Sequence, residues 1–283
     1  MTLIGLNIHD TDDFRLAALP LFESDEVDVL EYSFDNGWSG EPEWLCELVD
    51  YYASQNRLLG HGVTFSPLSG AWETRQEEWL VNLKRECQRR SYLHISEHFG
   101  FMTAGSFHQS APLPVPRTEG ALRVGIDRLK KLAQTSSVPI GLENLAFAFG
   151  PQDVHEQGSF LEQLLAPVDG FLLLDLHNLY CQSANFKVPA CELLESYPLE
   201  RVRELHVSGG SWSESNGEAF RRDTHDGPVP EEVFELLPVA LRRCPNVHAV
   251  IFERMGGTIP TDGMQAQMRD DYRRIAAIVR GKS

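Results

Sequence analysis

The feature of this chain that most restricts its fold is a regular alternation of short apolar runs with amphipathic segments. Eight apolar runs have the length of a strand; they cover residues 4–8, 27–32, 58–63, 92–98, 140–144, 171–178, 202–208 and 249–254. Between them lie segments with apolar residues spaced near 3.6, at 43–53, 74–89, 122–133, 160–165, 233–241 and 264–279. Because strands that alternate with helices form parallel sheets, and eight such strands close a barrel, the pattern predicts an α/β fold, a (β/α)8 TIM barrel.

The length supports one barrel. A barrel of this type takes about 250 residues, and the chain has 283, with neither an internal repeat nor a linker. We therefore expect one domain over residues 1–283, with its site at the carboxyl ends of the strands. Two connections, 100–120 and 209–230, are longer than a barrel needs and follow strands, so we expect them to be functional loops on that face.

Composition excludes several classes of function. The chain has 25 Lys and Arg against 41 Asp and Glu, a net charge of −16, which opposes binding to a nucleic acid backbone. It has no run of eighteen apolar residues and no basic amino-terminal segment, so neither a membrane span nor a secretory signal is expected. The five cysteines form no C-x-x-C pair and are typical of free thiols. These observations predict a cytoplasmic protein.

Polar residues stand where the predicted strands end, which is where a barrel of this type builds its active site. Those at the ends of the third to eighth strands are His61, His98, Glu143, Asp175, His206 and Glu253, and the loop after the seventh adds Asp223 and His225. One such histidine alone is usually a hydrogen-bonded core residue. Imidazoles and carboxylates on six successive strands, however, would meet around one axis and require cations. Mixed nitrogen and oxygen ligands suit Fe, Mn, Zn or Co, so the set predicts a metal site.

Neighbouring polar residues have other expected positions. Glu97 and Asn144 alternate with His98 and Glu143 along their strands, so they should point away from the axis. His177 lies two residues beyond Asp175, and it is either a ligand or a residue that supports one.

An ordered set of motifs connects these residues. They are H-G-V at 61–63, I-S-E-H at 95–98, L-E-N at 142–144, L-L-D-x-x-N-L-Y at 173–180, E-L-H-x-x-G at 204–209, D-T-H-x-x-P-V at 223–229 and I-x-E-R at 251–254. The set resembles the multinuclear non-haem iron-dependent oxidative enzymes, the family that includes the methanobactin-biosynthesis oxidase. The likeness runs from about Gly5 to Pro260, nearly the whole chain.

The resemblance implies a xylose-isomerase-like TIM barrel that holds two or three iron ions, as mixed Fe(II) and Fe(III), with O2 as co-substrate. Family members modify residues, commonly cysteines, of ribosomally made precursor peptides, which a small partner protein often presents. The metal ligands implied by motif matching are His61, His98, Glu143, Asp175, Asn178, His206, Asp223, His225 and Glu253. No catalytic residue beyond these ligands is assigned.

Within the implied set, Glu143 is the natural bridging carboxylate. Many relatives carry a second histidine where this chain has Gly210, and an acidic stretch where it has M-G-G-T at 255–258. The Gly- and Ser-rich loop that carries Asp223 and His225 has little apolar content to hold it down. We therefore expect the metal at those two residues to be the most labile.

Two other functions remain open at this point. Barrels of the sugar-isomerase and abasic-site endonuclease type also place His, Glu and Asp on strand ends around divalent ions, and the acidic surface fits an isomerase better than an endonuclease. A metal-stabilised module that binds a peptide without catalysis is the third possibility, and it predicts metals whose coordination positions are all filled by protein.

Overall fold

The computed structural model describes residues 2–215 and 217–281, apart from the side chains at 39 and 108–110; residues 1, 216, 282 and 283 of the predicted domain lie outside it. A closed barrel of eight parallel strands confirms the predicted fold. These strands, numbered among all strands of the chain, are β1 (Leu3–Ile8), β2 (Val29–Tyr32), β3 (Leu58–Gly62), β4 (Ile95–His98), β7 (Ile140–Glu143), β8 (Phe171–Asp175), β9 (Val202–Ser208) and β12 (Ala249–Glu253). Around the barrel they follow the chain order, and β12 pairs with β1 to close it.

Helices surround the barrel. They are α1 (Asp12–Glu23), α2 (Glu43–Ser54), α3 (Thr74–Arg89), α4 (Glu119–Ser136), α5 (Pro151–Leu165), α6 (Leu176–Phe186), α7 (Ala190–Glu195), α8 (Glu231–Arg243) and α9 (Asp262–Val279). The main apolar core lies between their inner faces and the outside of the barrel. None of the helices in the described ranges combines the length and apolarity that crossing a membrane requires.

Both long connections contain a hairpin. β5 (Phe101–Ala104) pairs with β6 (Phe107–Leu113) after β4, and β10 (Trp212–Ser215) pairs with β11 (Glu218–Arg221) after β9. Each hairpin is a separate two-stranded sheet outside the barrel. They stand on the face where the carboxyl ends of the barrel strands meet.

The inside of the barrel changes from apolar to polar along its axis. Val29, Leu59 and Ile251 belong to a small buried apolar cluster distinct from the main core. Because side chains on one face of a strand recur every second residue, the next inward positions follow two residues later. Those positions on β2, β3 and β12 are Glu31, His61 and Glu253, all buried. The apolar layer therefore forms the floor of a buried polar site.

Candidate metal centre

The strand register places the predicted residues side by side. His98 on β4 is level with Glu143 on β7, and Asp175 on β8 is level with His206 on β9. These strand-end side chains point into the barrel and are buried, with His98 a little more open than the others. The parallel ladder thus assembles residues that lie far apart in the chain.

His61, His98 and Glu143 form the first group. Their facing atoms make a triangle: His61 Nε2 lies 3.4 Å from His98 Nε2, and Glu143 Oε2 lies 3.5 Å from the former and 3.4 Å from the latter. The other ring nitrogen of His61, Nδ1, is 2.8 Å from Ser96 Oγ, which orients the ring with Nε2 toward the group. Two ligand atoms about 2.1 Å from one ion, at roughly 90 to 110°, are about 3 to 3.4 Å apart. The triangle therefore fits one face of a metal site.

Asp175 ends a strand and begins a helix. One of its oxygens, Oδ1, accepts the backbone N–H of Asn178 at 2.5 Å and caps α6. The strand predicted over 171–178 is therefore wrong beyond Asp175, where helix geometry takes over. In this helix the amide of Asn178 donates to Glu143 Oε1 at 3.1 Å and to the carbonyl of Asn144 at 3.0 Å. Asp175 Oδ2 and Asn178 Oδ1 have no hydrogen-bond partner within the described structure.

His206 lies between carboxylates on both sides. Its Nδ1 is 3.0 Å from Glu253 Oε2, and its Nε2 is 3.2 Å from Glu31 Oε2. The second oxygen of Glu31 accepts a hydrogen bond of 2.7 Å from the side-chain amide of Asn7. A ligating imidazole commonly gives its other N–H to a carboxylate, which sets the tautomer and orients the ring. The pair is arranged for Nδ1 to face a metal while Glu31 holds Nε2–H.

Asp223 and His225 converge although their segment is not a strand. His225 has a φ of 52°, in the left-handed region, which turns its side chain back toward Asp223. Its Nε2 lies 2.8 Å from Asp223 Oδ1 and 3.8 Å from Glu253 Oε2. Through this turn the two side chains can bind one ion together.

Several buried atoms of the centre make no hydrogen bond in the described ranges. Asp175 Oδ2 and Asn178 Oδ1 have no partner of either kind there, and His206 Nδ1, His225 Nε2 and Glu253 Oε2 have only ion-pair contacts. Buried polar groups are normally hydrogen-bonded, so ligand atoms without such bonds gathered in one space are suited to a cation. The residues present therefore fit a metal.

Four sets of three residues each bring three ligand atoms together. Within a set, the three atoms lie within 4.8 Å of one another. The sets are His61, His98 and Glu143; Glu31, His206 and Glu253; Glu143, Asp175 and His206; and Asp175, His225 and Glu253. Glu143, Asp175, His206 and Glu253 each belong to two sets. The overlap is suited to neighbouring cations that share ligands.

Burial dominates the proton equilibria of the centre. It raises the pKa of Glu143 well above its usual range and, with the nearby carboxylate of Asp223, raises the pKa of Asp175 to about 8. It lowers the pKa of His61 to about 3 and that of His98 to about 4. Both rings are therefore neutral at pH 7, which is the form that binds a metal.

The two other imidazoles behave differently. Burial lowers the pKa of His206, but the carboxylates of Glu253 and Glu31 outweigh it and raise this pKa well above the usual range. Burial acts in the same way on His225, and Asp223 outweighs it there. In the absence of a cation, protonated His206 and His225 pair with these carboxylates. A bound metal would take the place of the protons.

The strand-end pattern did not include Glu31 and Glu204. Glu31 is the inward residue two positions after Val29, and a charged residue at that place in an apolar strand is the signal that could have revealed it. Glu204 lies two residues before His206, and its Oε2 is 2.8 Å from His94 Nε2. His94, for which no role was predicted, thus supports the floor of the centre.

The residues expected to point away from the axis do so. Glu97 accepts the backbone N–H of Phe65 at 2.8 Å and that of His98 at 2.7 Å. Asn144 pairs its amide with the backbone of Asp175, accepting at 2.7 Å and donating at 3.1 Å. His177 is 3.0 Å from Asp223 Oδ1, so it supports a predicted ligand.

A protein-family model identifies the family of this chain. The model of the MbnB/TglH/ChrH RiPP precursor modification enzymes matches residues 15–279. The chain belongs to this family. RiPPs are ribosomally made peptides that enzymes modify, so the family identifies the class of process and implies a peptide substrate.

Two of the relatives of this chain are UPF0276 proteins. A UPF0276 protein from Caulobacter vibrioides is 30% identical over 91% of this chain and 88% of its own length. Another from Acaryochloris marina is 30% identical over 69% of each chain.

Solved structures share the fold at low sequence identity. The chain resembles IOLI protein with a binding zinc atom, with a TM-score of 0.64 and 13% identity over 100% of this chain and 99% of that one. It also resembles D-psicose 3-epimerase from Clostridium cellulolyticum H10, with a TM-score of 0.60 and 12% identity over 99% and 98%. These likenesses confirm the xylose-isomerase-like TIM barrel.

Proposed function

We propose that this family member is an O2-dependent oxidase or oxygenase that holds two or three iron ions and modifies cysteine residues of a ribosomally made precursor peptide. The observation that carries the proposal is the overlap of ligand sets inside one barrel mouth: Glu143 belongs to one set with His61 and His98 and to another with Asp175 and His206, and Asp175 also belongs to the set with His225 and Glu253. Ligands shared in this way would hold neighbouring ions close to one another. Membership of a family of peptide-modifying enzymes supports the peptide part.

Different side chains of the site would hold different ions. Neutral His61 and His98 and the carboxylate of Glu143 would hold one ion, and Glu143 would reach a second with the oxygen that Asn178 orients at 3.1 Å. Asp175, His225 and Glu253 would hold a further ion, and Asp223, whose Oδ1 lies 2.8 Å from His225 Nε2, would join them. When bound, iron supplies a Lewis acid that lowers the pKa of a substrate thiol and the redox chemistry for reaction with O2. The buried floor keeps bulk water from below the reacting groups.

The exposed residues at the rim of the barrel mouth favour an extended substrate over a small one. Large exposed apolar side chains project from the loops at the carboxyl ends of the strands; they are Phe107, Phe147, Phe149, Trp212, Phe220 and Met255. A small sugar is normally enclosed by its site and needs no such rim. Exposed aromatic groups around a polar centre suit the side chains of a peptide. A presenting partner protein and a cytoplasmic location stay predictions.

The proposal is tested with anaerobically purified protein loaded with Fe(II) and a cysteine-containing precursor peptide. We expect O2 consumption that depends on the peptide, with a matching mass change of the peptide. A peptide with Cys→Ser and the variant His61→Ala are the controls, and both should abolish the coupled consumption. Colourless Zn, Mn or Mg protein that epimerises a sugar would support the sugar-isomerase alternative, and tight peptide binding without turnover would support the binding module.

A further inference from the structure

Arg221 is a buried cation in an otherwise exposed hairpin. It ends β11, and its side chain is 7% exposed whereas the other residues of β11 are open to solvent. Its guanidinium lies 5.5 Å from the ring centre of Tyr180 and 5.8 Å from that of Trp212. Among the described residues no carboxylate lies within ion-pair distance of it. Its burial therefore serves a contact other than a salt bridge.

That contact is with His177. Arg221 Nε donates to His177 Nε2 at 3.1 Å. Because a guanidinium can only donate, His177 Nε2 must accept, and the ring proton must be on Nδ1. His177 Nδ1 is 3.0 Å from Asp223 Oδ1, so this proton is donated to that carboxylate. A chain of two directed hydrogen bonds thus runs from the hairpin to Asp223.

The hairpin end and the middle of this chain are held in place by further contacts. The side-chain amide of Asn185, on α6, donates to the carbonyl of Arg221 at 3.0 Å and accepts its N–H at 2.8 Å, as a neighbouring strand would. At Gly210 an added Cβ would lie 2.8 Å from His177 Cε1 and 2.2 Å from the carbonyl oxygen of Arg222. The absence of a side chain at Gly210 therefore leaves room for the imidazole ring of His177.

We propose that Arg221 and His177 are positioning residues: together they hold Asp223 in the orientation in which it binds a metal with His225. The inference rests on the proposed metal centre. Neither residue would contact the ion, since the ring nitrogen of His177 that faces Asp223 carries a proton and the other is engaged by Arg221. Through Arg221, the hairpin of β10 and β11 then fixes the position of the loop that carries Asp223, which has few apolar residues to fix it by packing.

Two readouts test the inference. The first is the rate at which a chelator removes each metal from the Fe(II)-loaded protein. We expect Arg221→Met and His177→Phe to weaken one metal by about 10- to 100-fold, the range for residues that orient ligands, and to leave the remaining metal in place. His177→Gln should recover part of the affinity, because its amide can still donate to Asp223. Arg222→Met, the adjacent exposed arginine, is the matched control and should release metal at the wild-type rate.

The second readout does not depend on metal. In metal-free protein with 15N-labelled histidine, the wild type should show His177 as the Nδ1–H tautomer, with its signals identified by their loss in His177→Phe. Arg221→Met should weaken this tautomer preference, since the carboxylate of Asp223 is then the one partner that favours it, while the thermal unfolding of the metal-free protein stays as in Arg222→Met. A wild type that binds no metal but shows the tautomer would refute the proposed function and the metal role while confirming the relay itself. Unchanged release in Arg221→Met, equal loss of all metals, or an Nε2–H tautomer in the wild type would overturn the inference.

Discussion

At the scale of single residues, Glu143 is where the ligand groups of the centre meet. Its Oε2 lies 3.5 Å from His61 Nε2 and 3.4 Å from His98 Nε2, and its Oε1 is held by the amide of Asn178. It also belongs to the set with Asp175 and His206. A carboxylate with two oxygens directed to different groups is suited to bridge two ions.

Glu143→Gln tests this bridging role. The amide keeps the size of the side chain but removes the charge that offsets two cations, so we expect metal content to fall by more than one equivalent per chain. The stabilisation of the fold by bound metal should fall with it. Metal analysis after desalting and a thermal unfolding scan provide the measurements. The exposed Glu119→Gln serves as control, and full metal loading of Glu143→Gln would refute the bridge.

At the scale of elements, the strand pattern predicted the barrel because apolar runs of strand length recur eight times. The helices α1, α6 and α7 were not predicted. Pro20 inside α1 argues against a helix, and the apolar Leu176 after β8 continues the strand pattern. Capping by Asp175, which starts α6, depends on side-chain geometry that periodicity does not express. The strand ends located the ligands, whereas Glu31 and Glu204 lie inside β2 and β9, where the inward alternation of a charged residue among apolar ones is the signal for them.

Asp175 has two functions that substitutions can separate. Asp175→Asn keeps an oxygen that can cap α6 but removes the charged oxygen, so the metal-free protein should unfold at nearly the wild-type temperature while metal affinity falls. Asp175→Ala removes the cap as well, and should cost the metal-free protein about 1 kcal/mol or more of unfolding free energy. Chemical denaturation and chelator competition measure the two effects. Equal stability of the Asn and Ala variants would show that the cap contributes little.

At the scale of the whole molecule, the barrel buries an excess of acidic groups and protons compensate for it. Burial raises the pKa of Glu31 to about 7 and that of Asp175 to about 8, whereas their usual values are 4.5 and 3.8. Between those limits the folded metal-free protein holds protons that the unfolded chain has released. The contribution of these groups to stability therefore falls as pH rises. His61 and His98, with lowered pKa values, act in the opposite sense only below about pH 6.5.

We therefore expect the unfolding temperature of the metal-free protein to decrease from about pH 6.5 to 8.5, the interval in which Glu31 and Asp175 lose their protons. Metal binding needs the deprotonated ligands, so the increase in unfolding temperature on adding Fe(II) anaerobically should grow over the same interval. Scans of both forms at matched ionic strength measure this. A metal-induced increase that shrinks toward pH 8.5 would contradict the assignment of these carboxylates.

The central claim is that the barrel mouth holds more than one iron with shared ligands. Its most direct test is the iron content of anaerobically reconstituted wild-type protein, combined with a Mössbauer spectrum of the same 57Fe-loaded sample. We predict at least two irons per chain, with magnetic coupling between them in the partly oxidised sample. A single uncoupled iron at saturation, or a preference for zinc with no bound iron, would contradict the account.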